Sequence, residues 1–151
     1  MAATPYILQR FQKVPALTVG VFNFPIAGEL SALGSLGRSR VGLVTLLPTP
    51  AHLKTLPIKM FEYMSAGVPI VASDFPLWRE IVVGTGSGLC VDPTDPAAIA
   101  AAVDRLAEDA ELGVACRRNG VRAVAGEFNW SAQARNLLKL YEHLQRQRKE
   151  S

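Results

Sequence analysis

From Val41 to Glu108 the chain alternates between two hydrophobic periods, and that alternation restricts the fold more than any other feature. Val41-Gly-Leu-Val-Thr-Leu-Leu47, Val68-Pro-Ile-Val-Ala72 and Leu89-Cys-Val91 are short, uncharged, β-rich runs, the first closed by Pro48. Between them lie helical segments. One starts at Pro57, where a missing N–H costs nothing, and runs to about Ala66 before Gly67. Another, opened by Asp74 and Pro76, carries Leu77, Trp78 and Ile81 and ends in the Gly84-Thr-Gly-Ser-Gly88 loop. Strand, helix, strand, helix in succession implies right-handed crossovers, hence an α/β Rossmann-like fold, a parallel sheet with helices on both faces. Ligands of such sheets sit outside the carboxyl ends of the strands, so the loops after Leu47, Ala72 and Val91 are where chemistry is expected.

The flanks divide unequally. Leu17-Thr-Val-Gly-Val-Phe22 reads as a strand and Gly28 to Arg40 as a helix, but residues 1–40 give only a partial start to the domain that occupies 41–145. Asp95-Pro96 caps a helix with Ile99, Val103 and Leu106 on one face. A further helix spans about Ala110 to Ala125, and after Phe128-Asn-Trp130 a stripe of Ala134, Leu137, Leu138, Tyr141 and Leu144 marks the last one. The basic tail, residues 146–151, is expected to fray.

Composition excludes several classes. With 151 residues, 49% hydrophobic, 19% charged and a mean hydropathy of +0.18, the chain has the makings of one core and not of a disordered segment. No run approaches the ~18 apolar residues of a membrane span, and no signal peptide stands out, so a cytoplasmic setting is expected, free or peripheral to a membrane. Cys90 and Cys116 have no partners at metal-ligand spacing and read as buried free thiols. The net +3 is unevenly spread: six cations against one acid in residues 1–60 (+5), two against nine in 61–115 (−7), and eight against three in 116–151 (+5). The C-terminal cations lie on helices with no stacking platform, which disfavours nucleic acid and favours a small anion.

The most informative stretch runs from Pro48 to Ser73. It follows a strand and leads into a helix start, whose free N–H groups and dipole attract an anion. Lys54 and Lys59 flank that start. A cation in the first turn opposes the dipole, so Lys59 is locally unfavourable until an anion binds beside it. Glu62, three residues on, shares its face and can accept from two vicinal hydroxyls. Cation, helix N-terminus and carboxylate in this order suit a diphosphate joined to a ribose, with Thr55, Leu56, Pro57 and Ile58 lining the approach. The same spacing also suits a solvated Lys59–Glu62 ion pair, and His52 can be a ligand, a general base or a plain loop residue. Gly84, Gly86 and Gly88 follow a short helix and not a strand, so they read as a turn.

The run Leu56-Pro-Ile-Lys-Met-Phe-Glu-Tyr-Met-Ser-Ala-Gly-Val-Pro-Ile-Val-Ala-Ser-Asp-Phe-Pro-Leu-Trp-Arg-Glu-Ile-Val82, with Gly88-Leu-Cys-Val-Asp-Pro-Thr-Asp-Pro96 and the ending Phe128-Asn-Trp130 to Leu140-Tyr-Glu142, resembles the C-terminal half of group 1 glycosyltransferases. The likeness covers about Ala32 to Leu144. It implies one half of a GT-B architecture that binds a nucleotide-diphosphate sugar as donor substrate, with Glu62 on the ribose hydroxyls and no metal or other cofactor. Many members carry a second glutamate eight positions earlier. Here that position is Lys54, as in the subgroup with Leu-Pro-x-Lys-x-x-Glu, so the donor sugar stays open.

A complete enzyme of this type also has an N-terminal acceptor domain and an early basic loop that clamps phosphate, and neither is evident. The expectation is therefore a partial donor-binding domain, inactive alone in transferring sugar to an unknown acceptor, with no catalytic residue assigned. Apolar surface around Leu17 to Phe24 is expected to be exposed or covered by self-association. The alternatives are a non-catalytic nucleotide-sugar binding or interaction module, and another sugar-nucleotide enzyme of the same architecture such as an epimerase.

Overall fold

The computed structural model of the chain describes residues 19–20 and 39–150, with side chains over 39–148. Its strands β1 (Val19–Gly20), β2 (Val41–Val44), β3 (Ile70–Ser73) and β4 (Gly88–Val91) form one parallel sheet in that spatial order. Gly42 pairs with Ile70 and Val44 with Ala72, while Ile70 pairs with Gly88 and Ser73 with Val91. Each crossover steps the same way across the sheet, so right-handed connections place α1 (Ile58–Ser65) and α2 (Pro76–Thr85) on the same face. The next helix, α3 (Pro96–Glu108), returns over the other face.

The strand period of two sorts the core between those faces. Ile70 and Ala72 meet Met60, Tyr63 and Met64 of α1 and Trp78, Ile81 and Val82 of α2. Val41 and Val71 meet Ala102, Val103 and Leu106 of α3 and Cys116 of α4 (Ala110–Gly126). Gly42 lies directly beneath the Tyr63 ring. Glycine also lets α4 approach α1: a Cβ at Gly120 would stand 3.3 Å from the Met64 backbone.

Helix α3 is capped as the sequence suggests, and α4 has a cap that the sequence reading did not name. Asp95 accepts from the N–H groups of Ala97 and Ala98, and Asp109 from that of Leu112. The last helix, α5 (Trp130–Glu150), is capped by Asn129, whose Oδ1 accepts from the Ala132 N–H at 2.9 Å.

Two expectations need correction. β2 ends at Val44 and not Leu47, because the carbonyls of Leu46 and Leu47 are drawn off to the Ser73 hydroxyl and the His52 ring, away from a ladder. The tail expected to fray is helical through Glu150: after Trp130 no Gly or Pro interrupts a run rich in Gln, Arg, Lys and Glu, all good helix formers. The thiols divide, Cys116 being buried and Cys90 half-buried, both free. Of the N-terminal expectations, Val19–Gly20 is a strand, paired through Val19 with Val41. The helix from Gly28 and the apolar surface around Leu17 to Phe24 otherwise lie outside the described residues.

Candidate site at the carboxyl edge of the sheet

The loop between β2 and α1 is held by backbone carbonyls and by side chains from elsewhere in the fold. The Ser73 hydroxyl, buried at the end of β3, donates to the Leu46 carbonyl at 2.7 Å. Trp78, fully buried in α2, donates its indole N–H to the Thr55 carbonyl at 2.7 Å. A buried indole must find an acceptor, and this one fastens the loop just before α1. Within the loop a short 3-10 turn (His52–Lys54) forms, with the Leu53 N–H on the Thr49 carbonyl at 3.1 Å and the Thr55 hydroxyl on that of Ala51 at 3.0 Å.

Helix α1 then begins with no side-chain cap and no acid in its first turn. Its predecessor Pro57 is extended and has no N–H to offer, while the Met60 N–H turns back to the Pro57 carbonyl at 3.0 Å. Ile58 and Lys59 open the helix, so their N–H groups are among those without an acceptor four residues back. The positive end of the dipole therefore stands at the carboxyl edge of the sheet with a lysine in its first turn, an arrangement that an anion relieves.

Lys59 and Glu62 are both half-buried, one turn apart on α1, and no ion pair joins them among the described residues. The solvated-pair alternative is thus not how these side chains are arranged. Glu62 makes its charge felt on Tyr63, whose hydroxyl is pushed up first by burial and second by that carboxylate. Lys54, Leu56 and Ile58 are exposed, with Ile58 75% accessible although it is a large apolar residue at the helix start. His52 is fixed by its Nδ1 contact to the Leu47 carbonyl at 2.8 Å, which leaves Nε2 as the nitrogen facing other partners. Thr55 spends its hydroxyl on Ala51 and its carbonyl on Trp78, so its part is to shape the turn.

The neighbouring helix N-terminus also lacks a side-chain cap. There Asp74 pairs with Arg79 through two hydrogen bonds, and that guanidinium holds the Asp74 carboxyl below the usual carboxylate range. Asp92, at the end of β4, is held low by the hydroxyl and N–H of Thr94. Sequence reasoning passed over Ser73, Trp78 and the Asp74–Arg79 pair. The available signals were Trp78 within an amphipathic helix and two charges five residues apart.

Of the glycines read as a turn only Gly86 lies in one, for Gly84 is in the last turn of α2 and Gly88 opens β4. Gly86 ends α2 at φ 68°, and a Cβ on Gly88 would collide with the Ile70 carbonyl oxygen at 2.0 Å. They occupy the amino edge of the sheet, opposite the loop of Lys54 and α1. Among the described residues no cluster of His, Cys, Asp and Glu is arranged to hold a metal, and no helix is long and apolar enough to cross a membrane.

The chain has relatives among known proteins. The chain is 34% identical over 94 residues to sucrose-phosphate synthase 4 of Arabidopsis thaliana, covering 62% of this chain and 9% of that protein. It is 33% identical over 99 residues to D-inositol 3-phosphate glycosyltransferase of Frankia alni, covering 66% and 24%. A phosphatidyl-myo-inositol mannosyltransferase of Mycolicibacterium smegmatis is 29% identical over an alignment that takes in 94% of this chain and 40% of that one. The chain therefore spans well under half the length of these relatives. Among solved structures, a sucrose-phosphate synthase from Thermosynechococcus elongatus superposes with a TM-score of 0.62 at 28% identity, over 73% of this chain and 26% of that one. It carries the Rossmann-like fold expected of a GT-B half, and the model of the glycosyl transferases group 1 family matches residues 43–123, more than half of the chain, which accordingly belongs to that family.

Proposed function

We propose that this chain is the donor-binding part of a glycosyltransferase that takes a nucleotide-diphosphate sugar and passes the sugar to an acceptor held by a second domain. The observation that carries the reading is the uncapped start of α1 at the carboxyl edge of the parallel sheet, with Lys59 in its first turn and Glu62, in no ion pair among the described residues, one turn on. The diphosphate lies against the N–H groups of Ile58 and Lys59, and the Glu62 carboxylate accepts from both ribose hydroxyls. Bond breaking at the sugar leaves negative charge on the departing diphosphate. The helix N-terminus and the ammonium groups of Lys59 and Lys54 stabilise that charge where it grows, so no metal is required for this part of the reaction. His52 and the backbone of Thr55, Leu56 and Pro57 form the wall of the approach. The named relatives transfer sugar in the same general sense, which supports the reaction class and leaves sugar and acceptor unspecified.

Calorimetric titration with uridine, guanosine and adenosine diphosphates tests the assignment. Glu62→Gln keeps shape but gives up charge-assisted bonds worth ~1.5–3 kcal/mol each, so affinity falls at least about tenfold while folding stability barely changes. Lys59→Ala weakens the diphosphates far more than the plain nucleosides, because its partner is phosphate. Nucleotide binding to the wild type with equal binding to Glu62→Gln refutes the role of Glu62.

A further inference from the structure

We infer that Trp78 is a positioning residue for the donor: without touching the nucleotide, its indole N–H sets where the first N–H groups of α1 point, and so how tightly the diphosphate is held. The inference rests on the donor reading of α1 given above.

Burial fixes α1 only from Met60 onward. Met60, Tyr63 and Met64 are at most 1% accessible, whereas Ile58 is 75% accessible and Lys59 is half-buried. No side chain caps the first turn. The direction of the Ile58 and Lys59 N–H groups is therefore governed by the chain that leads into them, residues 55–57. That chain is a stiff arm. Pro57 has its φ locked, at −72°, and Leu56, which precedes a proline, is confined to extended backbone. Thr55 is extended too, at φ −121° and ψ 153°. Whatever holds the Thr55 carbonyl thus holds the helix start.

Trp78 holds it from another helix. Its Nε1 donates to the Thr55 carbonyl oxygen at 2.7 Å, and the indole is itself locked: it has no accessible surface and meets Phe75 edge-on, with ring centroids 4.8 Å apart. The bonds from the Thr55 hydroxyl to the Ala51 carbonyl and from the Leu53 N–H to that of Thr49 lie inside the loop and move with it. Hydrogen bonds from N–H groups weaken steeply as they bend, so a helix start released from its anchor grips phosphate less well. The ribose is held differently. Glu62 lies between Phe61 and Tyr63, both packed in the core, so the core and not the arm places its carboxylate. Loss of the indole N–H should be felt by the phosphates and not by the nucleoside, a split that general loosening of the fold does not produce.

Calorimetric titration of uridine, guanosine and adenosine diphosphates and of the plain nucleosides compares the wild type with three variants of the full chain. Trp78→Phe keeps an aromatic ring in the core and cannot donate. Leu56→Gly leaves the core untouched and loosens the arm. Ile81→Val trims a buried contact of α2 and measures the effect of destabilisation alone. Trp78→Phe and Leu56→Gly are each expected to weaken diphosphate binding about tenfold and nucleoside binding less than about twofold. Together they are expected to cost about as much as either alone, because both free the same peptide. Ile81→Val lowers the unfolding midpoint and leaves both affinities within about twofold of wild type. Diphosphate binding unchanged in Trp78→Phe, an equal loss for nucleoside and diphosphate, a matching loss in Ile81→Val, or losses that multiply in the double variant overturn the role of Trp78. If Trp78→Phe does not fold, Leu56→Gly decides, and diphosphate binding unchanged in that variant overturns the stiff arm on which the role depends. A wild type that binds no diphosphate fails the donor reading itself, and this role with it.

Discussion

Gly42→Ala would strike the contact that sets the height of α1 above the sheet. A methyl carbon there would lie 2.6, 2.7 and 2.8 Å from Cγ, Cδ2 and Cδ1 of Tyr63. Carbon atoms rest at about 3.5–4.0 Å, so the ring and the helix that carries it must rise by about 1 Å. Tyr63 is 1% accessible, so its ring moves only by displacing packed neighbours. Overpacking of this kind costs about 1–3 kcal/mol, while the loss of glycine's freedom in the unfolded chain returns about 0.4–1 kcal/mol. A net loss of about 1–2 kcal/mol corresponds to a midpoint lowered by roughly 2–8 °C in a domain of this size. Because α1 carries Lys59 and Glu62, nucleotide affinity should fall with it. Thermal and urea unfolding followed by circular dichroism give the stability change, and the same substitution in a Tyr63→Leu background gives its origin. The penalty should shrink there by more than about 0.5 kcal/mol. A Gly42→Ala midpoint within about one degree of wild type, or an undiminished penalty beside Leu at 63, refutes the reasoning.

Two further outcomes concern the same edge of the sheet. Burial, with a smaller contribution from Asp74, pushes the Cys90 thiol up to about 11, so alkylation of the native chain should be slow at neutral pH and accelerate on unfolding. The folded state holds this proton more tightly than the unfolded one, so the contribution is complete below the unfolded thiol value of about 8.5 and lost as pH rises through 11; urea midpoints of wild type and Cys90→Ala should converge over that range. Trp78→Phe removes the donor to the Thr55 carbonyl and should cost about 1–2 kcal/mol, with hydrogen exchange accelerated over residues 46–57 more than in β3. Unchanged exchange in that loop would show that the indole does not fasten it.

The alternation of periods made the parallel sheet legible because helices and strands here are short and cleanly separated by Pro57, Gly67, Pro76 and Gly86. Asp95-Pro96 was readable for the same local reason, a cap whose acceptor and donors lie within three residues. The candidate site was only partly legible. Lys59 and Glu62 share a turn, so spacing alone puts them on one face. Ser73 and Trp78 serve the loop from 27 and 23 residues away, and no local pattern encodes such partners. The stop of β2 at Val44 was hidden too, since Leu46 and Leu47 are apolar enough to continue a strand and are diverted by the distant Ser73 hydroxyl and by the His52 ring. Nothing local marks Gly42 within its buried run, and only the fold reveals the ring laid across it.

The fastening of the β2–α1 loop has a consequence for how its chemistry can change over time. Both distant anchors, the Ser73 hydroxyl and the Trp78 indole, grip main-chain oxygens, at Leu46 and Thr55. Main-chain oxygens are present whatever side chains the loop carries. The eight positions between them, 47–54, can therefore exchange residues, including His52 and Lys54, while the span stays clamped at both ends. A scaffold of this kind separates the part that varies from the part that holds, so new ligand preferences can be sampled by single substitutions without first unfastening the frame.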